Sequence, residues 1–240
     1  MLLLALDTCD SKGSIALLRD DQVLQTMAHD TSEDYSSWLL PAVHQVLRAV
    51  GVAMSDLDAY AVAAGPGSFT GVRVGLTTAK AWAEVYGRGI AVVSRLEAVA
   101  AQAFGAEPYV AAFADARRDQ VFGALYRRRG RALELIGDEL AIAPSKFVAW
   151  VTENAGSDRI HWISTEPKCL TETEAWATRR TLGETVQTAS SVLAPVIGHL
   201  GYELALGNRL TDALAVDANY VRRTDAEVLG KVGPKREAGR

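Results

Sequence analysis

The sequence has little that would suit a membrane or an oxidising compartment. It contains two cysteines among 240 residues, Cys9 and Cys169, without Cys-x-x-Cys spacing. We expect free thiols rather than a disulfide or a metal site. No apolar run reaches the length of a membrane span, and the opening stretch Met1–Asp7 lacks the length and basic flank of a signal peptide. A cytoplasmic protein without membrane contact is therefore predicted.

Excess basic charge and paired metal ligands are also lacking. Lys and Arg number 25 against 29 Asp and Glu, so the formal net charge is −4. Non-specific nucleic-acid binding needs clustered cations, so we expect any tRNA contact to be indirect or weak. The 4 histidines show neither the i, i+4 spacing of a helical metal site nor a His-Glu-x-x-His motif. We predict no metal site and no cofactor.

What the sequence does contain is a glycine-rich stretch between a predicted strand and a predicted helix. It runs from Gly65 to Gly75, after the apolar run Tyr60–Ala64 and before Leu76–Tyr86, which is rich in Ala and Leu. Glycine permits positive φ and a close approach of another backbone or a ligand. Two interpretations stay open: a tight packing turn, or a helix N-terminus that favours an anion or a polar partner.

The stretch matches none of three common catalytic or nucleotide-binding motifs. A Walker loop needs Gly-Lys-Ser/Thr at the helix start, but Gly71 is followed by Val and Arg. The spacing of Gly65, Gly67 and Gly71 misses the dinucleotide fingerprint Gly-x-Gly-x-x-Gly by one residue. Ser68 likewise misses the Gly-x-Ser-x-Gly elbow of a hydrolase nucleophile.

Hydrophobic periodicity predicts a repeated α/β organisation. The first part of the chain reads βββαβαβα, with a helix over Tyr35–Val50 whose apolar residues recur at steps of three and four. This order resembles the ribonuclease-H-like half-domain of the actin, sugar-kinase and Hsp70 superfamily. A second pass begins after Pro108 with a strand that ends at Asp115, as the first strand ends at Asp7. The predicted fold is α/β, with two such half-domains of mixed sheets flanked by helices.

We expect three regions along the chain. Residues 1–107 form the half-domain that carries the glycine-rich stretch and the predicted partner helices. Residues 108–225 form a degenerate second half-domain whose C-terminal part returns to the first, although 165–188 shows no clear period. Residues 226–240 combine Gly, Pro and charge, so we expect a disordered tail.

Further short motifs accompany the glycine-rich stretch. They are Asp7-Thr8, Leu39-Leu40-Pro41, Asp115-Ala116-Arg117 with Val121, and Asn219-Tyr220-Val221-Arg222. Together with Gly-Pro-Gly-Ser-Phe-Thr-Gly-Val-Arg-Val-Gly they resemble the TsaB family, also called YeaZ. One departure is Tyr35-Ser36, where that family usually carries His-Ser or His-Thr.

The resemblance implies a non-catalytic assembly subunit. In that family, TsaB pairs with the catalytic subunit TsaD, and an ATPase called TsaE joins them. The machinery makes N6-threonylcarbamoyladenosine next to the anticodon of tRNAs reading codons that start with A. The resemblance also implies that the chain can form a homodimer when alone. The alternatives are an ATP-dependent small-molecule phosphotransferase of the same superfamily and a peptidase, which rests only on an old family association.

The predicted partner surface lies on two helices, Tyr35–Val50 and Val72–Tyr86. Trp38 is its expected anchor, because aromatic side chains often dominate interface energies. The predicted contacts are Tyr35, Trp38, Leu39, Ala42, Val72, Leu76 and Lys80. The alternative is that both helices are simply buried in this chain.

The remaining candidate residues belong to the loops. We predict a structural role for Gly65, Gly67, Ser68, Gly71, Arg73 and Gly75. Asp7, Thr8 and Asp115 would mark a vestigial nucleotide pocket, although Asp7 is expected to end its strand and bond nearby N–H groups.

Overall fold

The structure is a computed structural model that describes residues 1–29, 32–130 and 132–221. The first half contains β1 (Leu2–Asp7), β2 (Ser14–Arg19), β3 (Gln22–Ala28), α1 (Tyr35–Val50), β4 (Ala59–Ala63), α2 (Phe69–Tyr86), β5 (Gly89–Val93) and α3 (Arg95–Ala100). The second contains β6 (Tyr109–Arg117), β7 (Gln120–Arg129), β8 (Ala132–Ile142), α4 (Pro144–Ala155), β9 (Ile160–Ser164), α5 (Lys168–Thr171), α6 (Ala177–Thr181), β10 (Val186–Thr188) and α7 (Ala194–Leu206).

The two sheets have the same strand order and the same strand directions. The first runs β3-β2-β1-β4-β5, and the second, taken from the corresponding edge, runs β8-β7-β6-β9-β10. β1 pairs antiparallel with β2 and parallel with β4, and β6 pairs in the same way with β7 and β9. An antiparallel meander followed by two parallel strands in each half confirms the predicted ribonuclease-H-like fold class.

Helices cover both faces of the first sheet. α1 packs against β2 and β3, α2 packs mainly against β4, and α7 packs against β1, β2, β4 and β5. Gly201 of α7 lies over Ala61, whereas Gly75 of α2 lies over the next residue, Val62. Because successive side chains of a strand point to opposite faces, α2 and α7 lie on opposite sides of the sheet. The last helix of the chain therefore belongs to the core of the first half.

The helix α2 begins earlier than the sequence predicts. It starts at Phe69 rather than Val72 or Leu76, so Gly71 and Gly75 lie inside the helix and not in a loop. Ser68 is the N-cap, and its Oγ accepts a hydrogen bond from the Gly71 N–H at 3.3 Å. Two glycines argued against a helix on propensity alone, but the packing described below outweighs that preference.

The stretch without a clear period, 165–188, folds into short elements. It contains α5, a 3-10 turn over Glu174–Trp176, α6 and β10. Trp176 meets Trp162 edge to face at 5.2 Å between ring centroids, in a separate core with Phe147. Elements of three to five residues are too short to produce a helical or strand period in the sequence.

The chain after α7, residues 207–221, runs back along the first half, and we call it the C-terminal strap. Thr211 forms an antiparallel bridge with Ile90, and the Asn219 N–H donates to the Ala64 carbonyl at 2.8 Å. The predicted disordered tail, 226–240, lies outside the described residues. Within the described ranges, no helix is long and apolar enough to span a membrane.

Candidate functional site

The glycine-rich stretch packs on the backbone that follows β1. The Ser68 N–H donates to the Cys9 carbonyl at 2.6 Å, and the Thr8 hydroxyl donates to the Gly71 carbonyl at 2.7 Å. A Cβ at Gly71 would overlap the Thr8 carbonyl oxygen, and one at Gly67 would overlap the Cys9 carbonyl. The missing side chains therefore let two backbone segments touch, which supports the packing interpretation of this stretch over ligand binding.

The strand-end carboxylate of Asp7 is fully buried and held by the protein itself. Its Oδ1 accepts the Cys9 N–H at 2.9 Å, and its Oδ2 lies 3.6 Å from the Arg95 Nε. The Arg95 guanidinium is also buried and donates to Asp10 at 3.2 Å. Burial alone would lower the pKa of Arg95, but the Asp7 and Asp10 carboxylates outweigh it and raise that pKa. The position where a kinase of this fold would hold a metal-bound phosphate is thus neutralised by an internal cation.

Arg95 is the functional residue that the sequence analysis missed. One signal was present, because Arg95 is the first residue of α3, after the N-cap Ser94. A cation in the first turn of a helix opposes the helix dipole. Such a residue needs an anionic neighbour, and Asp7 and Asp10 are the two strand-end acids that supply it.

The predicted vestigial pocket is divided by the structure. Asp7 and Thr8 are buried beneath the glycine-rich stretch, whereas Asp115 lines a cleft of about 800 Å³ between the halves. The Asp115 carboxylate accepts the Arg117 backbone N–H at 2.7 Å and pairs with its guanidinium at 2.8 Å. Asp10, Tyr35, Phe69, Arg95 and Tyr220 also line this cleft.

The cysteines have the character of packing residues. Cys9 is buried, and its thiol donates to the Ala63 carbonyl with a sulfur–oxygen distance of 3.4 Å. Burial, reinforced by the charge of Asp7, raises the pKa of Cys9 well above its ordinary value. Burial likewise raises the pKa of Cys169 to about 12. Both thiols are therefore protonated at neutral pH and are poor nucleophiles.

Most of the predicted partner contacts point into the chain. Trp38, Leu39, Ala42, Val72 and Leu76 are all buried in the main core. Trp38 packs edge to face on His29, at the end of β3, with 5.0 Å between ring centroids. The expectation that Trp38 and Ala42 lie exposed beside the buried stripe is wrong, because α1 contacts β3 as well as β2 and so buries a second stripe.

The other two predicted contacts are engaged in internal hydrogen bonds. The Tyr35 hydroxyl donates to the Asp10 carbonyl. The Lys80 ammonium donates to the Val216 carbonyl of the strap at 3.0 Å. Tyr35 remains half-buried at the edge of the outer face, and Lys80 ties α2 to the strap.

The outer face of α1 and α2 presents different residues. A groove of about 510 Å³ runs between the two helices, and Tyr35 and Leu39 contribute to its lining. Its other lining residues are Ser36, Leu40, Phe69, Thr70, Arg73, Val74, Thr77 and Thr78. Leu40 is 56% exposed and Phe69 is 40% exposed. We call this surface the outer helix face.

The fold and this site define a class of protein: a two-domain, actin-like chain whose strand-end acid is neutralised internally. Its sequence matches the family described as "TsaD: tRNA N6-adenosine threonylcarbamoyltransferase" over residues 26–173. The tRNA threonylcarbamoyladenosine biosynthesis protein TsaB of Bacillus subtilis is 39% identical over 136 residues, 57% of this chain and 59% of that relative. TsaB of Escherichia coli is 35% identical over 133 residues, 53% of this chain and 56% of that relative.

A solved structure extends the similarity to the whole fold. An uncharacterised Pseudomonas aeruginosa protein, described as similar to peptidase YEAZ, superposes with a TM-score of 0.76 at 26% identity. The superposition covers 92% of this chain and 99% of that one. The chain belongs to the TsaB (YeaZ) family, within the broader TsaD-type group. In sequence it matches somewhat more than half the length of the two TsaB relatives.

Proposed function

We propose that the chain is a non-catalytic subunit in the synthesis of N6-threonylcarbamoyladenosine in tRNA. It pairs with a TsaD-type catalytic subunit, and a TsaE-type ATPase joins the pair. The names of its relatives support this pathway. The observation that carries the non-catalytic role is the buried Asp7–Arg95–Asp10 cluster, because an internal guanidinium takes the place of a catalytic metal and phosphate.

We propose the outer helix face as the site of pairing. Two long helices lie side by side there, and a groove with exposed Leu40 and Phe69 runs between them. Apolar side chains of this kind on a helix pair support burial against two helices of a partner, as in a four-helix bundle. The same face would serve self-association when the catalytic subunit is absent, and tRNA contact would remain indirect.

The alternative of an ATP-dependent phosphotransferase has less support. The amide of Ser68 is bonded to Cys9, and the carboxylate of Asp7 is bonded to Cys9 and paired with Arg95. Neither group is available to phosphate or to a metal ion in this conformation. ATP-dependent phosphoryl transfer by the purified chain, lost in Asp7→Ala, would favour the enzyme instead.

The test uses charge introduced on the outer helix face. Leu40→Glu combined with Thr77→Arg should weaken binding to the TsaD-type subunit of the same organism by at least about 30-fold, because central interface residues contribute about 2 kcal/mol or more. Binding would be measured by calorimetry, and modified tRNA by mass spectrometry after reconstitution. Leu182→Glu, 65% exposed in the second half, is the matched control and should bind normally.

Two results would contradict the proposal. Wild-type chain that fails to bind the catalytic subunit, or that is dispensable for tRNA modification in reconstitution, would remove the assembly role. A folded double variant that binds as tightly as wild type would place the interface on another surface.

A further inference from the structure

Arg73 lies at the border between the outer helix face and the interdomain cleft, in a stacked cluster. Its guanidinium carbon sits 3.6 Å from the centroid of the Phe69 ring, and its Nε donates to the Tyr220 hydroxyl at 2.9 Å. The rings of Phe69 and Tyr220 are themselves 5.4 Å apart. Two aromatic rings separated by 151 positions in sequence thus hold one cation in place.

The strap makes this cluster rigid from the Tyr220 side. Asn219, the residue before Tyr220, donates its backbone N–H to Ala64 and its side-chain amide to Glu139 at 2.6 Å. Lys80 donates to Val216, a few residues earlier. The strap is therefore fixed to the first sheet, to α2 and to the second half, so the Tyr220 ring is fixed relative to Arg73.

The cluster leaves most of the hydrogen-bonding capacity of Arg73 unused. A guanidinium has five N–H donors, and the hydrogen bond to Tyr220 uses one of them. Among residues 1–29, 32–130 and 132–221, no carboxylate pairs with Arg73. Its side chain is exposed, although both flanking rings are partly buried. Stacking has already restricted the side chain, so binding an anion there costs less rotamer entropy than at an ordinary surface arginine.

We propose that Arg73 is a preorganised receptor for an acidic side chain of the TsaD-type subunit, at the rim of the outer helix face. This inference rests on the proposed function, because Arg73 lines the same groove as Leu40 and Thr77. A carboxylate fits the planar edge of a guanidinium through two parallel hydrogen bonds. The contact would set the orientation of the partner along the helix pair, and it would contribute more to specificity and association rate than to total affinity.

The experiment measures the affinity of the full chain for the full catalytic subunit. Arg73→Met should weaken binding roughly tenfold to thirtyfold, and Arg73→Lys should recover only part of that loss because it keeps the charge without the planar fork. Tyr220→Phe keeps the ring and removes the hydroxyl, and we expect a loss of about threefold. Arg159→Met, which removes an 86% exposed arginine side chain in the second half, is the matched control and should bind normally.

Charge reversal identifies the partner group. Arg73→Glu should abolish measurable binding, and one Asp→Arg or Glu→Arg substitution on the catalytic subunit should restore it. That reciprocal rescue cannot arise from a general structural role of Arg73. Melting temperatures within about 2 °C of wild type would establish that each variant is folded.

The outcomes separate the two proposals. Wild-type chain that does not bind the catalytic subunit overturns the proposed function. Normal wild-type binding together with unchanged affinity of Arg73→Met and Arg73→Lys overturns only the receptor. The tail supplies a competing carboxylate at Asp225 and Glu227. If Asp225→Asn with Glu227→Gln cancels the effect of Arg73→Met, an internal pair is the occupant and the receptor is also overturned.

Discussion

The two half-domains share one strand order, yet they neutralise the acid at the end of the first strand in different ways. In the first half, Asp7 is buried and its charge is met by Arg95 from a distant helix. In the second half, Asp115 is partly exposed and pairs with Arg117, two residues further along. A buried carboxylate needs an equally buried cation, whereas a solvated one is satisfied locally. The first half is therefore tied together through its acid, and the second is not.

The halves also differ after the parallel strand next to the centre of each sheet. β4 leads through the glycine-rich stretch into the 18 residues of α2, whereas β9 is followed by the 4 residues of α5. Only the first half therefore has two long helices on its outer side among the described residues. Duplicated topology does not duplicate the surface, and the outer helix face exists because Thr8 and Cys9 accept the glycines so closely.

The largest expected effect comes from removing the buried cation. Arg95→Met leaves the carboxylates of Asp7 and Asp10 without their partner, and breaking a buried pair costs about 3–5 kcal/mol of unfolding free energy. Arg117→Met makes the same change in the second half, where the side chain is 67% exposed, and should cost at most about 0.5 kcal/mol. Chemical denaturation of both variants measures the difference. Equal, small losses would mean that Asp7 is as well solvated as Asp115.

A smaller effect is expected from Gly71→Ala. Alanine normally stabilises a helix interior by about 1 kcal/mol relative to glycine, but this methyl group would overlap the Thr8 carbonyl oxygen. Since the obstacle is backbone, we expect a net loss of about 2–3 kcal/mol. Gly183→Ala, at φ +75° with open space around it, should lose about 1 kcal/mol from its backbone conformation alone. A Gly71→Ala variant more stable than wild type would show that the contact is loose.

Local patterns predicted the elements well where one period dominates. The helix Tyr35–Val50 ends at Val50 because Gly51 adopts the left-handed conformation of a C-cap, with φ 71°. The strand order followed from three closely connected strands and then an alternation of helix and strand. The glycine spacing also indicated a special backbone, although the helix begins six or seven residues before Leu76 or three before Val72, as its cap at Ser68 shows.

What the sequence could not provide were contacts between distant segments. Arg95 reaches Asp7 across 88 positions, and Lys80 reaches Val216 across 136. The burial of Trp38 depends on His29 at the end of another strand. An amphipathic pattern shows that a helix has an apolar side, but it does not show how wide the covered side becomes when a second element lies next to it.

The smallest expected effect concerns the seam where the halves meet. Glu97 of α3 lies in the first half, and Glu139 of β8 lies in the second. Burial, together with repulsion from Glu139, raises the pKa of Glu97, and only Arg209 opposes this among its principal neighbours. A carboxyl group whose folded pKa is raised stabilises the fold fully below its unfolded pKa, and that stability is lost as pH rises through the folded pKa.

Glu97→Gln should therefore raise the melting temperature at pH 7 by roughly 2 °C, and the gain should disappear toward pH 4, where Glu97 is protonated. Glu107→Gln in the second half should have the opposite sign. The backbone N–H of Glu107 itself, followed by His161, lowers the pKa of Glu107, so its stabilisation is present at neutral pH and lost as pH falls through the folded pKa. Calorimetric scans of both variants at pH 4, 5.5 and 7 would measure the two slopes. Slopes of the same sign would mean that the seam does not bury Glu97 against Glu139, and that the halves meet there through solvent.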